Sequence, residues 1–355
     1  MTAEENEVIA RARSEIRDLQ PYSHATFQPG LLRLHANELP WPGAHADDAN
    51  EVNRYPEPRP RRLAQLAGDY FGVPGDAVFL SHGSDEAIDL LVRAFCSAGE
   101  DAIVTCPPTF GMYAVAAKIQ GAGIIEVPLT VSGAWLPDFD RLQSISAPGV
   151  KIIFLCSPNN PTGNCAGADE ILALARFWQG RSLVVVDEAY IEFADQASLA
   201  RHIERHPNLV VLRTMSKAHG LAGARLGVAL ARPAIVQLLQ RIAPPYSLSN
   251  YAIAAGIAAM QPLAIARTRA RIDLLRAERA RMTVQLTQLP AIAQLWPSDA
   301  NFLLVRCYDS VRLMRAALAA GILVRDQSAA LNLDNCLRVS IGAREDNDRL
   351  LEAWQ

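Results

Sequence analysis

The sequence predicts an α/β protein, with a mostly parallel central sheet flanked by helices in a large domain and a smaller α+β C-terminal domain. Three observations carry this. Short apolar runs recur at 78–80, 102–106, 151–156, 183–186 and 209–212, spaced as the strands of a strand-then-helix repeat. Each run ends in polar residues, and an open α/β sheet binds its ligands outside the carboxyl ends of its strands. After Pro244-Pro245 the chain changes to an Ala- and Arg-rich stretch and then a shorter strand–helix pattern. With 355 residues there is room for two domains. We expect an N-terminal arm and irregular segment over 1–45, a large domain over 46–248, and a small domain over 249–355 with the arm packing near it.

Composition narrows the class. Half of the residues are hydrophobic, a fifth are charged, and the net charge is -3, which suits a soluble enzyme and argues against general nucleic-acid binding. Six scattered cysteines form no Cys-x-x-Cys pair, which predicts free thiols in a reducing cytoplasm and no metal site. The acidic start, Met1-Thr2-Ala3-Glu4-Glu5, lacks the apolar run of a signal peptide. No stretch reaches ~18 uninterrupted apolar residues, so no membrane span is expected.

Taken in order, residues 5–19 carry Val8, Ile9, Ile16 and Leu19 among charges, predicting one amphipathic helix ended by Pro21-Tyr22. Residues 20–60 are Pro-, His-, Asn- and Gly-rich, and such a long irregular segment is often functional or wraps a partner. Val78-Phe79-Leu80 leads through Ser81-His82-Gly83-Ser84-Asp85 into a helix with Ile88, Leu91, Val92 and Phe95 on one face. Ser84 or Asp85 suits the N-cap, and the same turn could equally offer free amides to an anion. The next strand exits through Pro107-Pro108-Thr109-Phe110, where the aromatic is either core or a ring platform. Ser157-Pro158-Asn159-Asn160-Pro161-Thr162-Gly163 reads as a turn after the third run. Leu183-Val184-Val185-Val186 is the most apolar strand, hence central, and ends in Asp187-Glu188-Ala189-Tyr190. A carboxylate there is costly to bury without a cation, with Arg213 and Lys217 as candidate partners beside a ligand.

The fifth run opens onto Arg213-Thr214-Met215-Ser216-Lys217, a glycine-spaced turn, and Arg225-Leu226-Gly227. Thr214, Ser216 and Arg225 are the donors that an anionic phosphate needs. Lys217 among them is either a surface lysine or an amine poised for an aldehyde, since burial beside other cations lowers its pKa from about 10.4. Downstream, 250–290 reads as one interdomain helix, 301–305 as a strand, 309–320 and 344–354 as helices. Leu337-Arg338-Val339-Ser340-Ile341 alternates, putting Arg338 and Ser340 on one strand face.

The segment Ser216-Lys217-Ala218-x-x-Leu221-Ala222-Gly223-x-Arg225-x-Gly227 resembles the lysine motif of fold-type I pyridoxal-phosphate (PLP) aminotransferases, most of all the histidinol-phosphate aminotransferases. Arg54-Tyr55-Pro56, Asn160-Pro161-Thr162-Gly163 and Asp187-Glu188-Ala189-Tyr190 match the same family in order and approximate spacing. The resemblance implies a PLP-dependent transferase whose cofactor bonds Lys217, which also serves as general base. It assigns Asp187 to the pyridine nitrogen, Asn160 and Tyr190 to the 3-oxygen, and Phe110 to the ring face. It assigns Gly83, Ser84, Asp85, Thr214, Ser216 and Arg225 to the phosphate, joined by Tyr55 across a homodimer interface. Tyr22, Asn37, Arg325 and Arg338 are implied for the substrate, the two arginines reading its phosphate. The reaction implied exchanges an amino group between L-histidinol phosphate and 2-oxoglutarate in histidine biosynthesis. Phenylalanine at 110 and histidine at 219 depart from residues common in the family.

Three alternatives share these motifs: an aromatic or other amino-acid aminotransferase, a PLP-dependent decarboxylase of a phosphorylated amino acid, and a PLP-sensing regulator. The regulator needs a further DNA-binding domain, for which the irregular N-terminal residues leave little room. A nicotinamide dehydrogenase is disfavoured, because no strand leads into Gly-x-Gly-x-x-Gly.

Overall fold

A computed structural model describes residues 3–21, 27, 31–43 and 52–355. In chain order the strands are β1 (Val78–His82), β2 (Ala102–Thr105), β3 (Gly123–Glu126), the small hairpin β4 (Thr130–Val131) and β5 (Trp135–Leu136), β6 (Val150–Cys156), β7 (Leu183–Asp187), β8 (Leu209–Thr214) and β9 (Leu226–Leu230). The seven longer ones form a sheet in the order β1-β9-β8-β7-β6-β2-β3. Only β9 runs against the others. The carboxyl ends of β1, β2, β6, β7 and β8 therefore share one edge, and β9 enters the sheet from that edge.

Side-chain alternation builds the core on both faces of the sheet. Ile153, Leu155, Val184, Val186, Leu209 and Val211 point to one face, where helices Arg61–Phe71 and Ala168–Trp178 cover them. Ile152, Phe154, Val185, Val210 and Leu212 point to the other, beneath helices Gly83–Phe95, Met112–Gln120 and Pro233–Ile242. Burial on both faces explains why the central strands read as continuous apolar runs.

A second, antiparallel sheet takes the order β10-β11-β13-β12, from β10 (Ile292–Leu295), β11 (Phe302–Cys307), β12 (Arg325–Asp326) and β13 (Cys336–Ser340). Helices Pro262–Thr287, Ser310–Ala319 and Arg344–Trp354 pack on it through Met282, Leu286, Leu313, Leu350 and Trp354.

Three local expectations need correction. The helix expected over 5–19 is two, Ala3–Ile9 and Ser14–Arg17. Arg13 between them is extended, and its N–H donates to Ala94 O at 2.9 Å, so tertiary contact outweighs continuation of the helix. The long helix expected over 250–290 is also two, Asn250–Ala259 and Pro262–Thr287. Proline at the first turn of the second pushes Gln261 into an extended conformation. Neither Ser84 nor Asp85 caps the helix after β1; His82 stands at the cap, and its N–H donates to Glu86 Oε2 at 2.6 Å. Strands β3 and β9 were not anticipated, and β2 stops at Thr105 rather than 106.

Candidate active site

The shared carboxyl edge of the main sheet encloses a cavity of about 160 Å³. Ser84, Asp85, Phe110, Asn160, Asp187, Tyr190, Thr214, Ser216, Lys217 and Arg225 line it, together with Cys156, Ala189 and Ala222. One wall is thus drawn from every strand end that the sequence marked.

At the end built by β1 and β9, Gly83 opens the helix in the left-handed region at φ 75°, and Arg225 closes the lysine loop at φ 53°. A Cβ on Gly83 would lie 2.6 Å from Arg225 Nη2, and one on Gly227 would lie 2.4 Å from Ser84 N. The two glycines let the loop and the helix N-terminus approach. Without a side-chain cap, the first-turn amides of Gly83, Ser84 and Asp85 keep their donors for a ligand. Arg225 reaches Asp85 Oδ2 at 3.2 Å and Ser216 Oγ at 3.4 Å, while Ser216 N–H donates to Thr214 Oγ1 at 3.1 Å.

At the other end, Asp187 terminates β7 with 2% of its surface exposed. Its Oδ2 accepts from the Tyr113 hydroxyl at 2.9 Å and its Oδ1 from Ala189 N–H at 3.1 Å. Burial raises its carboxyl to about 6, against the downward pull of those two hydrogen bonds. Among the described residues Asp187 enters no ion pair. Arg213, its expected rival partner, instead donates to Glu192 at 2.6 Å and lies 3.6 Å from Glu188.

Lys217 follows β8. Its Nζ makes no hydrogen bond or ion pair among the described residues and lies 5.6 Å from the Tyr190 ring centroid. Desolvation and the nearby Arg338 and Arg225 guanidinium groups lower its pKa, although its side chain is open to the cavity. Asn160 Nδ2 approaches the Tyr190 hydroxyl at 3.5 Å, and Arg338 donates to Asn160 Oδ1 from the small domain's β13. Arg325 stands opposite Arg338 in the β12–β13 register, so two cations share one face of that edge. Like charges placed so are destabilising until an anion joins them.

The remaining expected residues lie apart. Tyr55 is 50% exposed, outside its own chain's cavity, and stacks on Tyr246 at 4.6 Å. Asn37 is exposed at φ 56°. Tyr22 lies outside the described residues. Sequence reasoning missed Tyr113, three residues beyond Phe110, and Glu38. The buried Glu38 carboxylate binds Arg33 and Arg54 at 3.1 Å each and accepts Tyr55 N–H at 2.7 Å. Its one signal is its place in the irregular segment over 20–60, shared with Tyr55.

The donor set fits PLP. A buried carboxylate without a cationic partner suits a pyridinium nitrogen, and amides beside an arginine suit a phosphate. An unpaired amine stands between them. These residues lie in the segments that resemble the family's motifs.

Comparison with known proteins agrees. The family described as aminotransferase class I and II matches residues 29–353. The histidinol-phosphate aminotransferase of Stenotrophomonas maltophilia is 42% identical over 99% of this chain and 98% of its own. Histidinol-phosphate aminotransferase 2 of Idiomarina loihiensis is 41% identical over 96% of each. Among solved structures, the histidinol-phosphate aminotransferase of Sinorhizobium meliloti in complex with PLP superposes with TM-score 0.75 at 25% identity, covering 86% of this chain and 83% of that one. L-threonine-O-3-phosphate decarboxylase of Porphyromonas gingivalis shares the fold, with TM-score 0.74 at 22% identity over 86% and 91%. The chain belongs to the class I and II aminotransferases, PLP-dependent enzymes, and the two relatives above, which match it over nearly their whole length, are histidinol-phosphate aminotransferases.

Proposed function

We propose that this chain transfers an amino group between L-histidinol phosphate and 2-oxoglutarate; its relatives' names indicate the first substrate, and the motif resemblance implies the second. The observation that carries the reading is Lys217, without hydrogen-bond or ion-pair partner among the described residues and with a lowered pKa, in one small cavity with the buried Asp187, which has no cation partner among them. Bound PLP supplies an aldehyde carbon and an electron-withdrawing ring. Lys217 Nζ would hold that carbon and, as general base, would move the proton from the substrate's Cα to the cofactor rather than back to Cα. Asp187 holds the pyridine nitrogen in its charged form. Asn160 and Tyr190 hold the 3-oxygen, and Phe110 covers the ring face. Gly83, Ser84, Asp85, Thr214, Ser216 and Arg225 hold the phosphate, with Tyr55 reaching it from a second copy of the chain. Arg338 and Arg325 take the substrate's phosphate, and Tyr22 and Asn37 belong to the same substrate side.

We place the domain divisions at 45 and 248; the main sheet and β13 then fall in different parts, and Arg338 meets the cavity residue Asn160 between them. Six free cysteines, five of them buried, suit a cytoplasmic setting. No helix among the described residues is long and apolar enough to cross a membrane.

Two experiments test the reading. Lys217 is one of only three lysines, beside Lys118 and Lys151, so borohydride reduction of the loaded protein should label a single peptide unambiguously. Label on either other lysine overturns the site. With 2-oxoglutarate as acceptor, histidinol phosphate should be the preferred donor. Arg325→Ala should cost that donor on the order of 10–100-fold in kcat/KM, the worth of one charge-assisted hydrogen bond. Phenylalanine should lose far less. Equal losses, preference for phenylalanine, or release of carbon dioxide from a phosphorylated amino acid would each move the assignment.

A further inference from the structure

Tyr113 stands behind the cavity and touches two of its walls. It lies in the first turn of helix Met112–Gln120 and is fully buried. Its ring lies flat on Phe154, with centroids 4.7 Å apart and planes 6° apart, so the side chain has little freedom. One ring edge meets Phe110 at 5.7 Å and 82°. Its hydroxyl donates to Asp187 Oδ2 at 2.9 Å. A buried tyrosine hydroxyl needs a partner, and this one meets the charged group at the base of the cavity.

Other polar groups face Asp187 without replacing that bond. Cys156, at the end of β6, turns its thiol to Pro158 O at 3.4 Å. Asp85, Lys217 and Tyr190 line the same cavity, and none pairs with the carboxylate among the described residues. Ala189 N–H is the other donor to Asp187. It belongs to the chain just beyond β7, so among the described residues Tyr113 is the only side chain that hydrogen-bonds the carboxylate.

We infer that Tyr113 is a positioning residue for the cofactor. It holds the Asp187 carboxylate in the orientation that meets the pyridine nitrogen, and through its ring edge it sets the Phe110 platform. This rests on the PLP site proposed above. The energetics agree. Burial opposes ionisation of Asp187, and the Tyr113 hydrogen bond favours it. Burial and the neighbouring Asp187 keep the Tyr113 phenol well above its ordinary pKa, so it remains a donor.

Tyr113→Phe keeps the ring and removes the hydroxyl. In the apoprotein, the Asp187 carboxyl, followed by infrared difference spectroscopy against Asp187→Asn, should titrate about one pH unit higher. PLP should bind about 10–100-fold more weakly at pH 8, the range for loss of a hydrogen bond to a charged group. In the Asp187→Asn background, Tyr113→Phe should leave PLP affinity nearly unchanged, because the charge it serves is gone. Equal losses of affinity in both backgrounds, or an unmoved carboxyl titration, would reduce Tyr113 to a packing residue and overturn the inference. If Asp187→Asn itself leaves PLP affinity intact, the site reading fails first, independently of Tyr113.

Discussion

Asp187→Asn in the cofactor-free protein tests the electrostatics of the site without any turnover. The folded carboxyl titrates near 6, whereas an unperturbed aspartate titrates at 3.8. At 1.36 kcal/mol per pH unit, holding the ionised form in the fold costs about 3 kcal/mol above pH 7. Because the folded value is raised, the stability linked to this group is complete below 3.8 and is lost as pH rises through about 6. By the same linkage the cost is about half as large at pH 5 and below 1 kcal/mol at pH 4. The amide removes this cost. It can still accept from the Tyr113 hydroxyl but leaves one of the two donors unmatched, a loss of about 1 kcal/mol. Apo Asp187→Asn should therefore be more stable than the unsubstituted apoprotein by about 2 kcal/mol at pH 8, and within about 1 kcal/mol of it at pH 4. Urea titrations of both apoproteins from pH 4 to 8, followed by circular dichroism, measure the difference. A difference that does not change with pH, or a variant less stable at pH 8, would refute a buried carboxylate awaiting a cation. With PLP added the order should reverse, because only the carboxylate pairs with the ring nitrogen.

Three further outcomes can be measured. Gly227→Ala places a Cβ 2.4 Å from Ser84 N and 2.5 Å from Gly83 C, both backbone atoms, so the phosphate turn must shift. Overpacking of this kind costs about 1–3 kcal/mol, and unchanged melting together with unchanged PLP affinity would contradict it. Mixing inactive Tyr55→Ala and Lys217→Ala proteins should restore part of the activity through hybrid dimers carrying one intact site; light scattering that finds an active monomer would end this reading. Arg213→Met leaves Glu188 and Glu192 buried without their cation and should lower stability by about 3–5 kcal/mol, read by thermal denaturation.

Much of the candidate site is legible in the sequence. Gly83, Asn160, Asp187 and Lys217 each lie just beyond an apolar run, and a strand followed by a polar turn is a local pattern. The parallel arrangement then brings those turns to one edge, whatever the order of the strands. Helix boundaries were less legible. Arg13 and Gln261 break helices for reasons of contact and proline geometry, and hydrophobic periodicity averages over both.

The sequence by itself determined the α/β class, the apolar strands, the turns that carry the chemistry and the family. These depend on residues near one another in the chain. Only the tertiary structure decided which polar groups meet. Tyr113 and Asp187 are 74 residues apart, and Arg338 and Asn160 are 178 apart. The order β7-β6-β2 brings the helix after β2 close enough for Tyr113 to reach Asp187, and no local signal encodes that order. Arg213 shows the same limit. From sequence it was a candidate partner for Asp187, but it leaves β8 on the face opposite Leu212, where Glu188 and Glu192 wait for it. A strand's two faces are separated by the sheet itself, so a shift of one residue decides whether a charge is neutralised in the core or left for a ligand.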